Sequence, residues 1–201
     1  MISRRDLLCA GALAPLSTYS FAAPAYKAGK EYLTVHPMAP TPADKIEVVE
    51  FFAYTCPHCL QFHPVFHEWA QKAPEAVPIP ICPVAWHPNY LGLLDSLSMP
   101  FFESIIYQTR SYNFDSATRD IHDFMVEAGV DGAKWDATFN SFGVKNKSRN
   151  ATMLWNAYQI DSTPMVGVGG KFTTGPHLAG SRQGTPAVID YLVDQMRTLR
   201  K

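Results

Sequence analysis

The 201-residue chain has no excess of basic residues: 17 lysines and arginines stand against 18 aspartates and glutamates, for a net charge of −1. A nucleic-acid partner needs a clustered positive surface, and this balance gives none. Long hydrophobic runs are missing too. No stretch approaches the ~20 consecutive apolar residues that a membrane span requires. Cysteine is scarce at four residues, and Cys9 lies in an N-terminal segment expected to be removed. The other three, Cys56, Cys59 and Cys82, allow one pair and one leftover, too few for a disulfide framework. Metal signatures fail as well. His63 and His67 are four apart, but no glutamate follows His63 to complete an H-E-x-x-H motif, so both are expected at the surface. Cys56, Cys59, Cys82 and His87 lack a second ligand pair at zinc spacing. Leu60 follows Cys59 where c-type haem attachment needs histidine.

What is present begins with an export signal. Arg4 and Arg5 form a basic start, Leu7 to Leu16 an apolar stretch, and Ser20-Phe21-Ala22 a small-x-small cleavage site. Residues 1–22 are therefore expected to be cleaved after Ala22, with Ala25 as the alternative. Ser3-Arg4-Arg5 before Leu7-Leu8 also fits a twin-arginine route. Leu8 before Cys9, rather than a small residue, argues against a lipoprotein anchor. Nearly half of the residues are apolar, and the length suits one globular core with an inserted or flanking unit.

The chemistry concentrates at Glu50-Phe51-Phe52-Ala53-Tyr54-Thr55-Cys56-Pro57-His58-Cys59. Lys45 to Phe52 is rich in β-branched and aromatic residues and reads as a buried strand. Thr55 and Cys56 stand where a helix N-cap belongs, and Pro57 suits the first helical position. Residues three apart on a helix share a face, so Cys56 and Cys59 can come within disulfide range. At the helix start, unpaired N–H groups and the positive dipole end favour a thiolate on Cys56. His58 can add positive charge beside the same sulfur. Cys59 faces inward and is expected to be the less acidic partner.

Cys56-Pro57-His58-Cys59, preceded by Phe51-Phe52 and Glu50, resembles the periplasmic thiol:disulfide oxidases of the DsbA family within the thioredoxin superfamily. The similarity runs weakly but in order from about Tyr26 to the C-terminus. It implies an α/β thioredoxin fold with an inserted α-helical domain: residues 23–85 and 160–201 as the two thioredoxin-like parts, 86–159 as the insertion. It implies a redox-active Cys56–Cys59 disulfide as the sole cofactor, given to folding secreted proteins. A monomer reoxidised by a membrane quinone-linked partner is also implied. DsbA itself, rather than this chain, has a thiolate pKa of ~3.5 against ~8.5 for a free cysteine, roughly 7 kcal/mol. DsbA's potential gap to thioredoxin, about 150 mV, converts to the same roughly 7 kcal/mol. Thiolate stabilisation alone is thus large enough to make such a disulfide oxidising.

The resemblance also assigns Glu50 to tuning of the cysteine pair, against the alternative of a strand-end carboxylate reaching water. Family members often carry an acid seven positions after the first cysteine, where this chain has His63. Thr163-Pro164 opens a strand and corresponds to the family's cis-proline, beside which substrate pairs. Threonine at that place is frequent in isomerases, which keeps an isomerase or reductase of the same fold as the alternative. A further alternative is an exported protein holding a soft metal at Cys56 and Cys59.

Further along, Phe62, Phe66, Trp69 and Ala70 form an apolar helical stripe, with Pro64 inside the helix. Val77 to Val84 reads as a second strand, with Cys82 as a buried small residue. Helical spacing follows at Phe101, Phe102, Ile105 and Ile106, then Ile121, Phe124, Met125 and Ala128, then Trp135, Phe139 and Phe142. Ser116 and Asp131 are expected N-caps and Gly129 a C-cap. Met165 to Val168, Gly169-Gly170 and Lys171 to Thr174 make a hairpin. Thr185-Pro186 opens a last helix facing the sheet with Val188, Ile189, Leu192, Val193, Met196 and Leu199.

Overall fold

The computed structural model describes residues 26–73, 94–107 and 117–200. The export signal with Cys9, the strand expected at Val77 to Val84 with Cys82, His87, and the Ser116 cap lie outside the described residues. The elements in chain order are β1 (Leu33–Thr34), β2 (Val48–Phe51), α1 (Pro57–Lys72), α2 (Leu94–Ile106), α3 (Ala117–Glu127), α4 (Gly132–Phe139), α5 (Phe142–Ala157), β3 (Met165–Val168), β4 (Phe172–Thr174) and α6 (Thr185–Leu199). Among the described residues the sheet runs β1-β4-β3-β2, and each neighbouring pair is antiparallel. Helices α2–α5 interrupt this unit between α1 and β3. The arrangement is a thioredoxin fold with a helical insertion.

β2 is buried along its whole length because both faces of the sheet are covered. Side chains alternate across a strand, so Val48 and Glu50 share one face while Val49 and Phe51 share the other. Val48 packs in a core with Phe62 and Phe66 of α1, Val166 and Val168 of β3, and Ile189 and Leu192 of α6. Val49 and Phe51 meet Tyr158, Ile160 and Met165 on the opposite side. Glu50 therefore stands on the face covered by α1. A third core joins the redox segment to the inserted helices, with Phe52, Tyr54, Cys59 and Leu60 against Phe101, Phe102, Phe124 and Trp135.

The β3–β4 hairpin turns through Gly169 and Gly170, at φ of +56° and +77°, the left-handed conformation glycine accepts most readily. The Tyr158 hydroxyl accepts a hydrogen bond from the Gly170 N–H at 2.8 Å. Tyr158 also fills the space over Gly167, where a Cβ would stand 2.5 Å from the ring. Gly129, at φ +86°, ends α3, and Asp131 caps α4 by accepting from the Lys134 N–H at 2.7 Å.

Three residues of the expected apolar helical rows are not buried. Phe142 and Leu199 are 78% and 58% exposed, and Ala128 is also exposed. Each lies at a helix end or just beyond it, where the apolar spacing runs on past the last packed turn.

Candidate active site

Cys56 is the N-cap of α1, in extended conformation with no side-chain capping bond, and Pro57 follows at the helix start. Pro57 lacks an N–H, so the nearby free donors come from later in the first turn. The Cys56 carbonyl accepts from the N–H groups of Cys59 at 3.0 Å and Leu60 at 3.1 Å. Both cysteines are free, Cys56 partly exposed and Cys59 fully buried.

That difference in burial separates the two sulfurs chemically. Partial burial pushes the Cys56 thiol up, but this is outweighed by hydrogen bonds from the Cys59 side chain and N–H, the Thr163 side chain and the His58 N–H. The net result is a Cys56 pKa below its ordinary value of 9.0. Cys59 is pushed up to about 12, chiefly by desolvation. In the reduced pair Cys56 is thus the accessible, more acidic sulfur, and Cys59 is the buried partner that holds its proton at neutral pH.

His58 is exposed, and its backbone N–H is among the donors to the Cys56 sulfur. The Thr163–Pro164 peptide bond is cis, and the Cys56 sulfur lies 3.7 Å from the Thr163 carbonyl oxygen. The structure therefore brings Cys56, Pro57, His58, Cys59, Thr163 and Pro164 to one place. A groove of about 340 Å³ opens there, lined in part by His58, Thr163 and Pro164.

Glu50 does not reach solvent. It is 1% exposed, and its Oε2 lies 2.8 Å from Nδ1 of His63. His63 is corrected from surface to interior, at 7% exposure. Its other nitrogen, Nε2, lies 3.1 Å from the Ser98 hydroxyl, which is 3.3 Å from the Tyr54 hydroxyl. The chain Glu50–His63–Ser98–Tyr54 is buried at every member. His63 can donate from Nδ1 to the Glu50 carboxylate, and its Nε2 continues the hydrogen-bonded row through the Ser98 and Tyr54 hydroxyls. Glu50 Oε1 has no hydrogen-bond partner, so His63 is the one group that satisfies this carboxylate among the described residues. Sequence reasoning missed both His63 and Ser98. The signal was available in the helical stripes 59-62-63-66 and 98-101-102-105, which place each polar residue in an otherwise apolar row.

A thioredoxin fold with two cysteines of unequal acidity at the start of α1 and a cis-proline beside them defines a thiol:disulfide oxidoreductase. No family model matches the chain. Curated relatives do: it is 37% identical over 205 residues to a thiol:disulfide interchange protein DsbA of Bordetella parapertussis, covering 95% of this chain and 96% of that one. It is 32% identical over 212 residues to that of Pseudomonas aeruginosa, covering 98% and 99%. The crystal structure of Pseudomonas aeruginosa DsbA superposes with a TM-score of 0.78 at 30% identity, over 87% of this chain and 96% of that one. The chain belongs to the DsbA family and is a protein-disulfide oxidoreductase working by thiol:disulfide interchange.

Proposed function

We propose that the enzyme works in the periplasm as a dithiol oxidase, donating its Cys56–Cys59 disulfide to reduced, unfolded secreted proteins. The observation that carries this direction is the inequality of the two thiols, with Cys56 held below its ordinary pKa and Cys59 pushed up to about 12. A disulfide whose reduction yields a stabilised thiolate favours the reduced enzyme, which makes it an oxidant.

In the first step a substrate thiolate attacks the Cys56 sulfur, the Cys56–Cys59 bond breaks, and Cys59 leaves with the electron pair and takes up a proton. A second substrate thiolate then attacks the substrate sulfur of the mixed disulfide. The substrate disulfide closes and Cys56 departs as the thiolate. Two electrons pass from substrate to enzyme, and no cofactor beyond the disulfide is required. Substrate backbone pairs beside Thr163-Pro164, and Glu50 tunes the pair from beneath α1. In this reading residues 1–22 direct export, the division 23–85, 86–159 and 160–201 holds, and the enzyme is a monomer. A membrane quinone-linked partner accepts the electrons afterwards.

Equilibration of the protein with glutathione across a series of potentials tests this, with Cys56→Ser as the control. A potential well above the glutathione poise is expected. A value near thioredoxin's, about −270 mV, would assign the chain to reductive chemistry instead.

A further inference from the structure

The groove beside the cysteines has a second wall, from residues between β4 and α6. His177, Ser181 and Arg182 stand there opposite His58, Thr163 and Pro164. This wall is braced. The Leu178 and Ala179 N–H groups both donate to the Gly175 carbonyl, the Gly184 N–H donates to the Ser181 hydroxyl at 2.9 Å, and the Thr185 hydroxyl donates to the Ser181 carbonyl at 2.8 Å. Gly175 lies so close to the redox wall that a Cβ on it would stand 2.8 Å from the Pro164 carbonyl oxygen.

The electrostatics of the groove are one-sided. Arg182 is half-buried, and its guanidinium has no ion pair or hydrogen bond among the described residues. Acidic groups of α6 are engaged elsewhere: Asp190 accepts from the Trp69 ring at 2.8 Å, and Asp194 pairs with Arg197. The groove is bordered by the start of α1, at His58, and by the residues leading into α6. Both helices carry the positive dipole end there, and neither has an acid in its first turn or a side-chain capping bond. A cation placed just ahead of an uncapped helix start adds like charge to like charge. An anionic occupant relieves both. The hydrogen bonds that hold the Cys56 thiol down come from Cys59, Thr163 and His58, so Arg182 is left for something that enters the groove.

We propose that Arg182 is a specificity-determining residue that recognises a carboxylate on the substrate polypeptide, an aspartate or glutamate flanking the reacting cysteine. This deepens the oxidase reading and rests on it. A guanidinium offers paired donors that match a carboxylate, and the same charge disfavours a lysine or arginine beside the substrate cysteine. An acidic neighbour thereby orients the thiolate toward Cys56.

The test uses reduced two-cysteine peptides identical except for Asp, Asn or Lys next to the first cysteine, each mixed with the oxidised protein and followed by stopped flow. The expected rate order is Asp, Asn, Lys, with Asp ahead of Lys by about fivefold, the upper range for a partly exposed ion pair. The preference shrinks in high salt. Arg182→Ala brings the three rates together, Arg182→Lys retains part of the preference, and Arg182→Glu reverses it. Equal rates for the three peptides with the unsubstituted protein, or an Asp preference that survives Arg182→Ala, would overturn the assignment. The glutathione equilibrium of the unsubstituted protein, measured separately, shows whether the oxidase reading itself has failed.

Discussion

Cys56→Ser is expected to reduce oxidation of a reduced test protein to the rate seen without enzyme. Cys59→Ser should do the same while its Cys56 thiolate still attacks a disulfide compound such as oxidised glutathione, forming a stable mixed disulfide and releasing one glutathione thiolate. The two variants differ because only one sulfur is both accessible and acidic. With a pKa of about 12, Cys59 is ionised to about one part in 10⁵ at pH 7. Iodoacetamide at neutral pH should therefore modify Cys56 and leave Cys59 untouched in the reduced protein, as peptide mass mapping would show. Stability follows with opposite signs. Cys56, lowered on folding, stabilises reduced protein above its ordinary value, and that contribution is lost as pH falls through the folded value. Cys59, raised on folding, contributes fully below 9.0 and loses that contribution as pH rises toward about 12. The oxidised protein, with neither thiol to titrate, should lack both dependences.

The second large effect is at His63. His63→Leu removes the partner of Glu50 Oε2 and of the Ser98 hydroxyl in one change. Because Glu50 Oε1 already lacks a partner, the carboxylate is left buried with no hydrogen bond among the described residues. Breaking one side of such a buried pair costs about 3 kcal/mol, to be read from urea unfolding at neutral pH. Glu50→Leu combined with His63→Leu should recover most of the loss, since no orphaned carboxylate remains. Were the double variant as unstable as the sum of the two single ones, the pairing would have no energetic content.

These two sites also mark how far the sequence could be read. The redox turn was legible because its signals are local: a β-branched strand, a proline at the helix start and two cysteines three apart. The Gly169-Gly170 hairpin was legible for the same reason. Thr163-Pro164 needed the family resemblance to be placed beside Cys56, since more than a hundred residues separate them. His63 was misplaced because its spacing to His67 was weighed as a metal signature, while its place in the row with Cys59, Phe62 and Phe66 went unused. Ser98 enters the site only through the contact that the insertion makes with His63 after folding, and Arg182 only through its place on the groove wall. Nothing in their immediate neighbours announces them.

The central claim is that the fold lowers the affinity of the Cys56 sulfur for its proton while raising that of Cys59. The most direct measurement is the thiolate absorbance of the reduced protein as a function of pH, with Cys56→Ser and oxidised protein as blanks. One thiolate should titrate below 9.0 and the second only in strong alkali near 12. Two thiolates appearing together near 9, or Cys59 ionising before Cys56, would contradict it.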